Sequence, residues 1–161
     1  MQGKTVKESQ ITMVSQMNPE DANPAGNVHG GVIMKHIDTA AGAVAIRHAR
    51  KICVTASIDR LDFHHPVYIG DLLTLKASIT MVGRTSMEVG VRVEAENLLT
   101  GNVRHTASAY LSFVAFDEKG VPTEVPPLIL ETEEENRRNC EAQIRRQVRL
   151  SQKEQEDVCA T

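Results

Sequence analysis

Five segments of the chain have the residue pattern of β-strands. In the longer ones apolar and polar side chains alternate, as Leu73 and Leu75 do with Thr74 and Lys76. Because successive side chains of a strand point to opposite faces, this period of two predicts an antiparallel sheet with one dry face and one wet face. The predicted strands are residues 7–17, 52–63, 72–82, 86–96 and 103–116.

A long apolar segment at residues 28–50 follows the first strand and has the composition of a helix. Asn27 stands where an N-cap residue is expected. Apolar residues cover nearly every face of this helix, so we expect it to be enclosed. One sheet and one helix satisfy these patterns together when the sheet wraps around the helix. The predicted fold class is therefore α+β, a five-stranded antiparallel sheet around one long central helix.

The last part of the chain is highly charged. Between residues 131 and 149 glutamates come first and arginines follow, an order that suits the dipole of a helix. A proline-rich segment at 122–127 precedes this stretch. We therefore divide the chain into a domain at 1–128 and a charged C-terminal helical extension at 129–161. We expect the extension to be a solvated helix.

Size, charge and cysteines narrow the function classes. The 161 residues suffice for one domain with a hydrophobic core, but only 3% are aromatic and the net charge is -3. A chain with few aromatic platforms and no excess of positive charge is not expected to bind nucleic acid. No apolar run approaches the length of a membrane span, and no leader-like segment opens the chain. The three cysteines show no CxxC spacing, so the sequence predicts a cytoplasmic protein without a membrane partner.

The stretch from residue 18 to residue 38 carries the candidate chemistry. A polar, turn-rich loop with Asn23 runs through Gly30 and Gly31 into the apolar helix, which holds one carboxylate, Asp38. A carboxylate in a buried position is unfavourable unless it is paired or used, so Asp38 is a candidate general base or nucleophile. Free N–H groups at the start of a helix can stabilise negative charge on a substrate oxygen. The amide of Asn23 can hold an attacking water.

Spacing along the helix predicts that these groups come from two chains. Gly31 and Asp38 are seven positions apart, which is roughly 10 Å along a helix. A carbonyl carbon and the atom that attacks it must lie within about 3.5 Å of each other. Because one helix cannot supply both groups to one substrate, we expect a homodimer with antiparallel helices and two composite active sites.

The loop and the helix that follows it resemble those of the hotdog-fold acyl-CoA thioesterases. The nearest group is the cytosolic acyl-CoA hydrolases, including bacterial single-domain forms and the double-hotdog brain-type enzymes. The resemblance covers nearly everything from residue 11 to residue 150. It is carried by Asp-Ala-Asn-Pro-Ala-Gly-Asn-Val-His-Gly-Gly at 21–31, Met-Lys-His-Ile-Asp at 34–38, Ala-Gly at 41–42, Val-Thr-Ala-Ser-Ile-Asp at 54–59, Phe-His at 63–64, Gly-Arg-Thr-Ser-Met-Glu-Val at 83–89 and Ala-Ser-Ala at 107–109.

The resemblance implies an acyl-CoA thioester hydrolase that releases a free fatty acid and coenzyme A. Asn23 and Asp38 match the catalytic asparagine and aspartate of that family, which meet across the dimer interface. Gly31 and its neighbouring amides match the group that polarises the thioester carbonyl. Coenzyme A is part of substrate and product, so no cofactor is expected. Similar enzymes are commonly trimers of dimers, which is the assembly that the resemblance implies here.

The same resemblance implies a coenzyme A site in the part of the chain that follows the helix. A turn that offers backbone N–H groups, hydroxyls and a guanidinium suits phosphate groups, although an ordinary hairpin turn is the alternative interpretation. Arginines of the C-terminal helix are further candidates for the 3′-phosphate. The matching residues are Ser57, Gly83, Arg84, Thr85 and Ser86, and the three arginines are Arg145, Arg146 and Arg149.

Two other functions stay open at the level of sequence. A hotdog enoyl-CoA hydratase or dehydratase needs an Asp–His pair, for which His29 and His36 are candidates. A non-catalytic acyl-CoA-binding regulator should lack the base, whereas Asp38 is present. A metal site that also uses His64 and His65 is not expected, because ligands paired at i and i+4 are missing. The preferred length of the acyl chain follows from no motif.

Overall fold

The computed structural model describes residues 1–159, which contain seven strands and two α-helices. The strands are β1 (Lys4–Thr5), β2 (Ile11–Gln16), β3 (Ile52–Phe63), β4 (Leu72–Val82), β5 (Ser86–Asn97), β6 (Asn102–Phe116) and β7 (Leu128–Ile129). The helices are α1 (Gly30–Ala49) and α2 (Glu133–Cys159). Within these residues no helix combines the length and the apolar character that a membrane crossing requires. Residues 160 and 161, which end the predicted extension, lie outside the described residues.

Strands β2 to β6 form one antiparallel sheet in the order β2-β4-β5-β6-β3. Inward side chains of the central strands, such as Leu75, Val91 and Leu111, are almost fully buried. The alternating pattern specifies this register, because a slip by one residue turns every one of these side chains outward. The pattern does not predict the parallel contact between β1 and β7, which joins only two residues of each. Segments that short have no readable alternation.

Helix α1 packs against one face of the sheet, which confirms the predicted hotdog architecture. Its buried face includes Ile33, Ile37 and Val44. Its opposite face is open, and Asp38 and Ile46 are exposed there in the single chain. The expectation of a helix enclosed on all sides, with a buried Asp38, is therefore wrong for one protomer. A single sheet can cover only one face of a helix, so α1 keeps an open, partly apolar face.

The N-cap of α1 is His29 and not the predicted Asn27. The ring nitrogen Nδ1 of His29 accepts the N–H of Gly31 at 2.9 Å. Asn27 instead bridges to Tyr68, and its N–H donates to Oδ1 of Asn23 at 3.2 Å. Local preference favours asparagine at a helix start. The long-range pairing of the loop overrides that preference and moves the start of the helix to Gly30.

Helix α2 packs on the outer face of the sheet, so the expectation of a solvated helix is wrong. Ala142 is fully buried, and the side-chain amide of Asn139 donates to the carbonyl of Thr80 at 2.8 Å. Glu88, on the predicted wet face, is 0% exposed. Arg145 donates to its two carboxylate oxygens at 2.7 and 3.1 Å. Periodicity places Glu88 on the outer face, but it cannot show that a later helix covers that face.

Candidate active site

A hydrogen bond joins the carboxylate of Asp38 to strand β3. The hydroxyl of Thr55 donates to Oδ1 of Asp38 at 2.6 Å. Both side chains are exposed in the single chain. The second oxygen, Oδ2, accepts no hydrogen bond from the part of the chain that the structure describes. The carboxylate is thus oriented through one oxygen and open to a ligand through the other.

The loop before α1 holds Asn23 by its side-chain carbonyl. Oδ1 accepts the N–H groups of Ala25 at 2.9 Å and of Asn27 at 3.2 Å. The backbone N–H of Asn23 in turn donates to the carbonyl of Asn27 at 2.7 Å. These bonds form a compact Asx-type turn. Because the acceptor is engaged within the loop, the NH₂ group is the part of Asn23 that can reach a ligand.

The amide of Gly31 has an acceptor in its own chain. Its N–H donates to Nδ1 of His29, and a Cβ at Gly31 would stand 3.0 Å from that nitrogen, so a side chain here would press against the capping ring. A neutral His29 ring that accepts at Nδ1 carries its proton on Nε2. The N–H of Gly30, one residue earlier, has no acceptor among the described residues. At the start of the helix, the N–H of Gly31 is therefore hydrogen-bonded within the chain, while the N–H of Gly30 is open to a ligand.

A cleft of about 310 Å³ opens beside Asn23 and Gly30. Its floor includes the buried side chains of Ile33 and Val67. The ring of Phe63 forms a wall, 3.7 Å from the position that a Cβ of Gly30 would occupy. The start of the helix thus borders a small, mainly apolar cleft.

Histidines stand at the rim of this cleft. His64 and His65 line it, and the His64 ring lies 4.9 Å from that of His105, centroid to centroid. Burial lowers the pKa of His105, and the nearby Arg92 lowers it further. Among residues 1–159 no three His, Cys, Asp or Glu side chains are grouped so that they could hold a metal ion.

The residues predicted to receive coenzyme A lie near Thr55 and not near Asn23. Ser86 and Thr55 pair with neighbouring residues of β6, so they stand on adjacent rungs of the sheet. Two strand spacings separate them, which is about 10 Å. Ser57 lies two residues further along β3. The turn at 83–85 joins β4 to β5 beside Ser86.

Two of the three arginines predicted to help hold a 3′-phosphate are engaged elsewhere. Arg145 is bound to the buried glutamate under α2; burial opposes its charge, yet the hydrogen bond to that glutamate raises its pKa. Arg149 is paired with Asp59 on β3. Each of these two guanidinium groups already neutralises a carboxylate, so a phosphate would have to compete with that carboxylate. Arg146 forms no ion pair among the described residues and reaches within 3.8 Å of the Cβ position of Gly83.

The predicted site residues therefore fall into two groups within one chain. Asn23 and Gly31 lie at the start of α1, next to Phe63. Asp38 lies eight residues into α1, bonded to Thr55. Phe63 and Thr55 pair with positions six residues apart on β6, which is roughly 20 Å along the strand. Among the described residues, one chain does not bring the two groups together.

Thr55 is a site residue whose role has no pattern in the sequence. It lies within a stretch that carries the family resemblance, but it follows Asp38 by seventeen positions across a turn. No helical or strand spacing connects residues that far apart. The sequence shows only that Thr55 has a hydroxyl and lies in the strand directly after the helix. The pairing of β3 with β6 is what directs that hydroxyl toward Asp38.

Comparison with known proteins identifies the family. The model of the thioesterase superfamily matches residues 25–101. The chain is similar to an uncharacterized acyl-CoA thioester hydrolase of Bacillus subtilis, with 43% identity over 129 residues, 80% of this chain and 75% of that one. It is similar in structure to an apo-hexameric acyl-CoA thioesterase, with a TM-score of 0.91 and 40% identity over 94% of this chain and 97% of that one.

An acyl-CoA hydrolase of Staphylococcus aureus is a third similar protein. It is solved in complex with butyryl coenzyme A, coenzyme A and coenzyme A disulfide, with a TM-score of 0.86 and 32% identity over 98% of this chain and 99% of that one. Solved variants of that enzyme replace an aspartate, an asparagine or a threonine by alanine. Identity above 40% to the Bacillus protein over most of both sequences leaves one family assignment. The chain belongs to the acyl-CoA thioester hydrolases of the thioesterase superfamily.

Proposed function

We propose that this chain hydrolyses the thioester bond of acyl-CoA and releases a free fatty acid and coenzyme A. The observation that carries the proposal is the oriented carboxylate of Asp38, held by Thr55 on the open face of α1. A charged group in the middle of a partly apolar helix face contributes little to the folding of one chain. Its orientation and open second oxygen suit a group that acts on a ligand.

Asp38 acts on the thioester carbon by one of two routes. As a general base it takes a proton from water while the water oxygen bonds to the carbonyl carbon. As a nucleophile its own oxygen forms that bond, and water then cleaves the resulting anhydride. In both routes the carbon–sulfur bond breaks, the sulfur leaves as the thiolate of coenzyme A, and one water is consumed. Rapid quenching followed by mass spectrometry distinguishes them, because only the nucleophilic route attaches the acyl group to Asp38.

A second chain completes the site in this proposal. Asp38 comes from one protomer, and the partner's Asn23 and the first amides of the partner's α1 face it across antiparallel helices. The separation of roughly 10 Å between Gly31 and Asp38 along one helix supports this arrangement. The exposure of Asp38 in the single chain supports it as well. The hexameric state of a similar thioesterase supports a trimer of dimers, which contains the required pair.

The spacing of the replaced residues in the Staphylococcus aureus hydrolase gives independent support. There the asparagine precedes the aspartate by fifteen positions, and the threonine follows it by seventeen. Asn23, Asp38 and Thr55 have the same two separations. We therefore assign Asn23 as a donor to the substrate or the attacking water, and Thr55 as the residue that positions Asp38.

The coenzyme A portion lies on the Asp38 side of the site in this proposal. Ser57 and the hairpin turn at 83–86 are within about two strand spacings of Thr55. Arg84 is exposed, and neither it nor Arg146 forms an ion pair among the described residues. Two guanidinium groups beside one turn suit the phosphates of the nucleotide.

Hydration of an enoyl-CoA is the less supported function. That reaction needs an Asp–His pair, whereas the partner of Asp38 is the hydroxyl of Thr55, and His29 is engaged as the cap of Gly31. A regulator without catalysis does not need an oriented carboxylate. The cytoplasmic location stays a prediction from the sequence.

A panel of acyl-CoAs with thiol release as the readout tests the proposal. Replacing Asp38 by Ala or Asn is expected to lower kcat by about 10²- to 10⁴-fold, while Glu118→Ala, at an exposed carboxylate of the turn after β6, leaves kcat unchanged. Near wild-type hydrolysis by both Asp38 variants would show that the proposed chemistry is wrong. Hydration of an enoyl-CoA at a higher rate than hydrolysis would favour the second function.

A further inference from the structure

A buried ion pair lies behind the loop that carries Asn23. Asp71 is 2% exposed, and Arg104 donates from Nη2 to its Oδ2 at 2.5 Å. The backbone N–H of Tyr68 donates to the same oxygen at 3.0 Å. The guanidinium of Arg104 also lies over the Tyr68 ring, with 5.3 Å between Cζ and the ring centre. One carboxylate oxygen therefore joins strand β6 to the turn at residues 68–71, which precedes β4.

This turn holds both ends of the loop. At the start of the loop, the N–H of Met17 donates to the backbone carbonyl of Asp71 at 2.9 Å. At the end of the loop, Asn27 forms an antiparallel bridge with Tyr68. Asp71 therefore binds one end of the loop through its backbone, and its carboxylate fixes the residue that pairs with the other end.

The side chain of Asn23 is connected to the turn through Asn27. The N–H of Asn27 donates to Oδ1 of Asn23 at 3.2 Å, and the carbonyl of Asn27 accepts the N–H of Asn23 at 2.7 Å. Because Asn27 is in turn paired with Tyr68, a shift of the turn moves the amide of Asn23 as well. A displacement of about 1 Å at a group that acts on the substrate can lower a rate by about 10²-fold.

Stability alone does not account for this ion pair. Taking two charges out of water is unfavourable, and their attraction offsets this only when hydrogen bonds satisfy the remaining groups. Here the buried Nε of Arg104 has no hydrogen-bond partner among the residues that the structure describes. The turn also has its own backbone bond, from the N–H of Asp71 to the carbonyl of Tyr68 at 3.1 Å. The main effect of the carboxylate is therefore to fix the geometry of the turn.

We propose that Asp71 is a positioning residue for the hydrolysis. Together with Arg104 it holds the turn, and through the turn it sets the place of the Asn23 amide. The inference rests on the proposed hydrolase function and adds a residue that contacts no substrate atom. Asn23 donates to the substrate or the attacking water in that function, so the position of its amide acts on kcat.

Asp71→Ala is expected to lower kcat by about 10- to 100-fold, because the Asn23 amide loses its fixed position. KM should stay within about twofold of the wild-type value, since the lost interaction acts on the transition state. Asp71→Asn keeps an oxygen that can accept from Tyr68 and Arg104, so it should recover most of kcat. A purely structural role would instead change kcat only in proportion to the folded fraction.

Asp117 provides a matched control. It is another turn carboxylate, and its Oδ1 accepts the N–H groups of Lys119 and Val121 at 2.9 Å each. This control turn follows the end of β6, whereas Arg104 stands near the start of that strand. Asp117→Ala is therefore expected to leave kcat unchanged. Circular dichroism at the assay temperature checks that each variant is folded.

Hydrogen exchange of the loop, followed by mass spectrometry, measures the positioning without catalysis. The N–H of Asn27 should exchange faster in Asp71→Ala than in the wild type or in Asp117→Ala, because its acceptor on Asn23 is no longer held. Arg104→Gln is the second variant and replaces Asp71→Ala if that protein does not fold. It should lower kcat and speed the same exchange.

An unchanged kcat in the folded Asp71→Ala protein, or in Arg104→Gln where it takes its place, would overturn the inference. An equal loss of kcat in Asp117→Ala would also overturn it. The hydrolase function would survive either result as long as Asp38→Ala abolishes thiol release. If the wild type itself released no thiol, the function would fail, whereas faster exchange in Asp71→Ala would still show that Asp71 holds the loop.

Discussion

Thr55 holds Asp38 through one hydrogen bond of 2.6 Å, and this bond connects the edge strand β3 to the middle of α1. The edge strand and the helix are successive elements, yet nothing in their local sequence pairs these two residues. The bond leaves one carboxylate oxygen available. A positioned carboxylate with one free oxygen is available to act on a bound ligand.

Thr55→Ala is expected to lower kcat by about 10- to 100-fold, the equivalent of a lost hydrogen bond to a charged group. KM should change little, because Thr55 acts on Asp38 and not on the substrate. Thr55→Ser restores the hydroxyl and should recover most of kcat. Equal losses in the alanine and serine variants would assign Thr55 a packing role instead. Steady-state kinetics with one acyl-CoA measures all three proteins.

Mixing two inactive variants tests the composite site directly. Asn23→Ala and Asp38→Ala are each expected to be nearly inactive as homo-oligomers. A mixed dimer holds one intact site, made of Asn23 from one chain and Asp38 from the other. Co-expression or refolding of an equal mixture should therefore restore about a quarter of wild-type kcat, since half of the random pairs are mixed and half of their sites are intact. A mixture that stays inactive while it exchanges subunits would place both residues in one chain's site.

Arg146→Ala is expected to raise KM for acyl-CoA about tenfold, the equivalent of one charge-assisted contact to a phosphate. The matched control is Arg137→Ala, an exposed arginine of the same helix that pairs with Glu141. An acyl thioester that lacks the nucleotide serves as a second substrate, and its KM should not respond to either variant. A similar rise with both substrates would mean that Arg146 acts through the fold of the site.

Arg145→Ala is expected to lower the free energy of unfolding by about 3–5 kcal/mol, because it leaves the buried carboxylate of Glu88 without its positively charged partner. Arg145→Met combined with Glu88→Gln removes both charges and should lower it by much less. Arg137→Ala, an exposed ion pair, should cost less than about 1 kcal/mol. Urea unfolding of the three proteins gives these values. Equal losses in the single and double variants would show that α2 is held by packing alone.

His48 makes stability depend on pH. Its Nε2 donates to the carbonyl of Pro126 at 2.9 Å, while its buried Nδ1 has no partner among the described residues. Burial lowers its pKa below the ordinary 6.5, and the charge of Lys4 lowers it further against the opposite effects of Pro126 and Glu8. The unfolded chain therefore takes up the proton first, so stability is complete above pH 6.5 and is lost as pH falls through the pKa of the folded state.

The measurement is the free energy of unfolding between pH 5 and pH 8 for wild type and His48→Gln. Glutamine keeps a donor for the carbonyl of Pro126 and cannot gain a proton. We expect the wild-type curve to fall more steeply below pH 6.5 than the variant curve. Two parallel curves would assign the acid sensitivity to other groups.

Much of the fold can be predicted from the sequence, because alternation is a local property. The predicted strands at 52–63 and 72–82 have the observed bounds of β3 and β4. What alternation cannot show is the layer that covers a face. Glu88 lies on the outer face as predicted, yet the cover comes from a helix that begins 45 positions later. The expectation that Asp38 is buried fails for the same reason, since enclosure depends on which other surfaces are present.

The candidate site likewise has a part that can be predicted from local sequence and a part that depends on the three-dimensional fold. Asn23, Gly31 and Asp38 stand in one continuous stretch, so their spacing alone predicts a site shared by two chains. Thr55 and His29 become visible only in three dimensions, because a hydroxyl seventeen positions away and a ring that folds back on the next turn have no sequence signature. The arginines of α2 show the converse. Their positive charge predicts phosphate binding, but only the structure shows which of these arginines is already paired with a carboxylate.

The ion pair under α2 also has a consequence for the order of synthesis. Glu88 leaves the ribosome 57 residues ahead of the guanidinium that neutralises it. Throughout that interval the outer face of β5 has to stay wet, since a dry unpaired carboxylate would destabilise the sheet by several kcal/mol. We therefore expect the nascent sheet to form first in an open state with water on this face. It becomes the finished sheet when Arg145 emerges and the last helix closes over it.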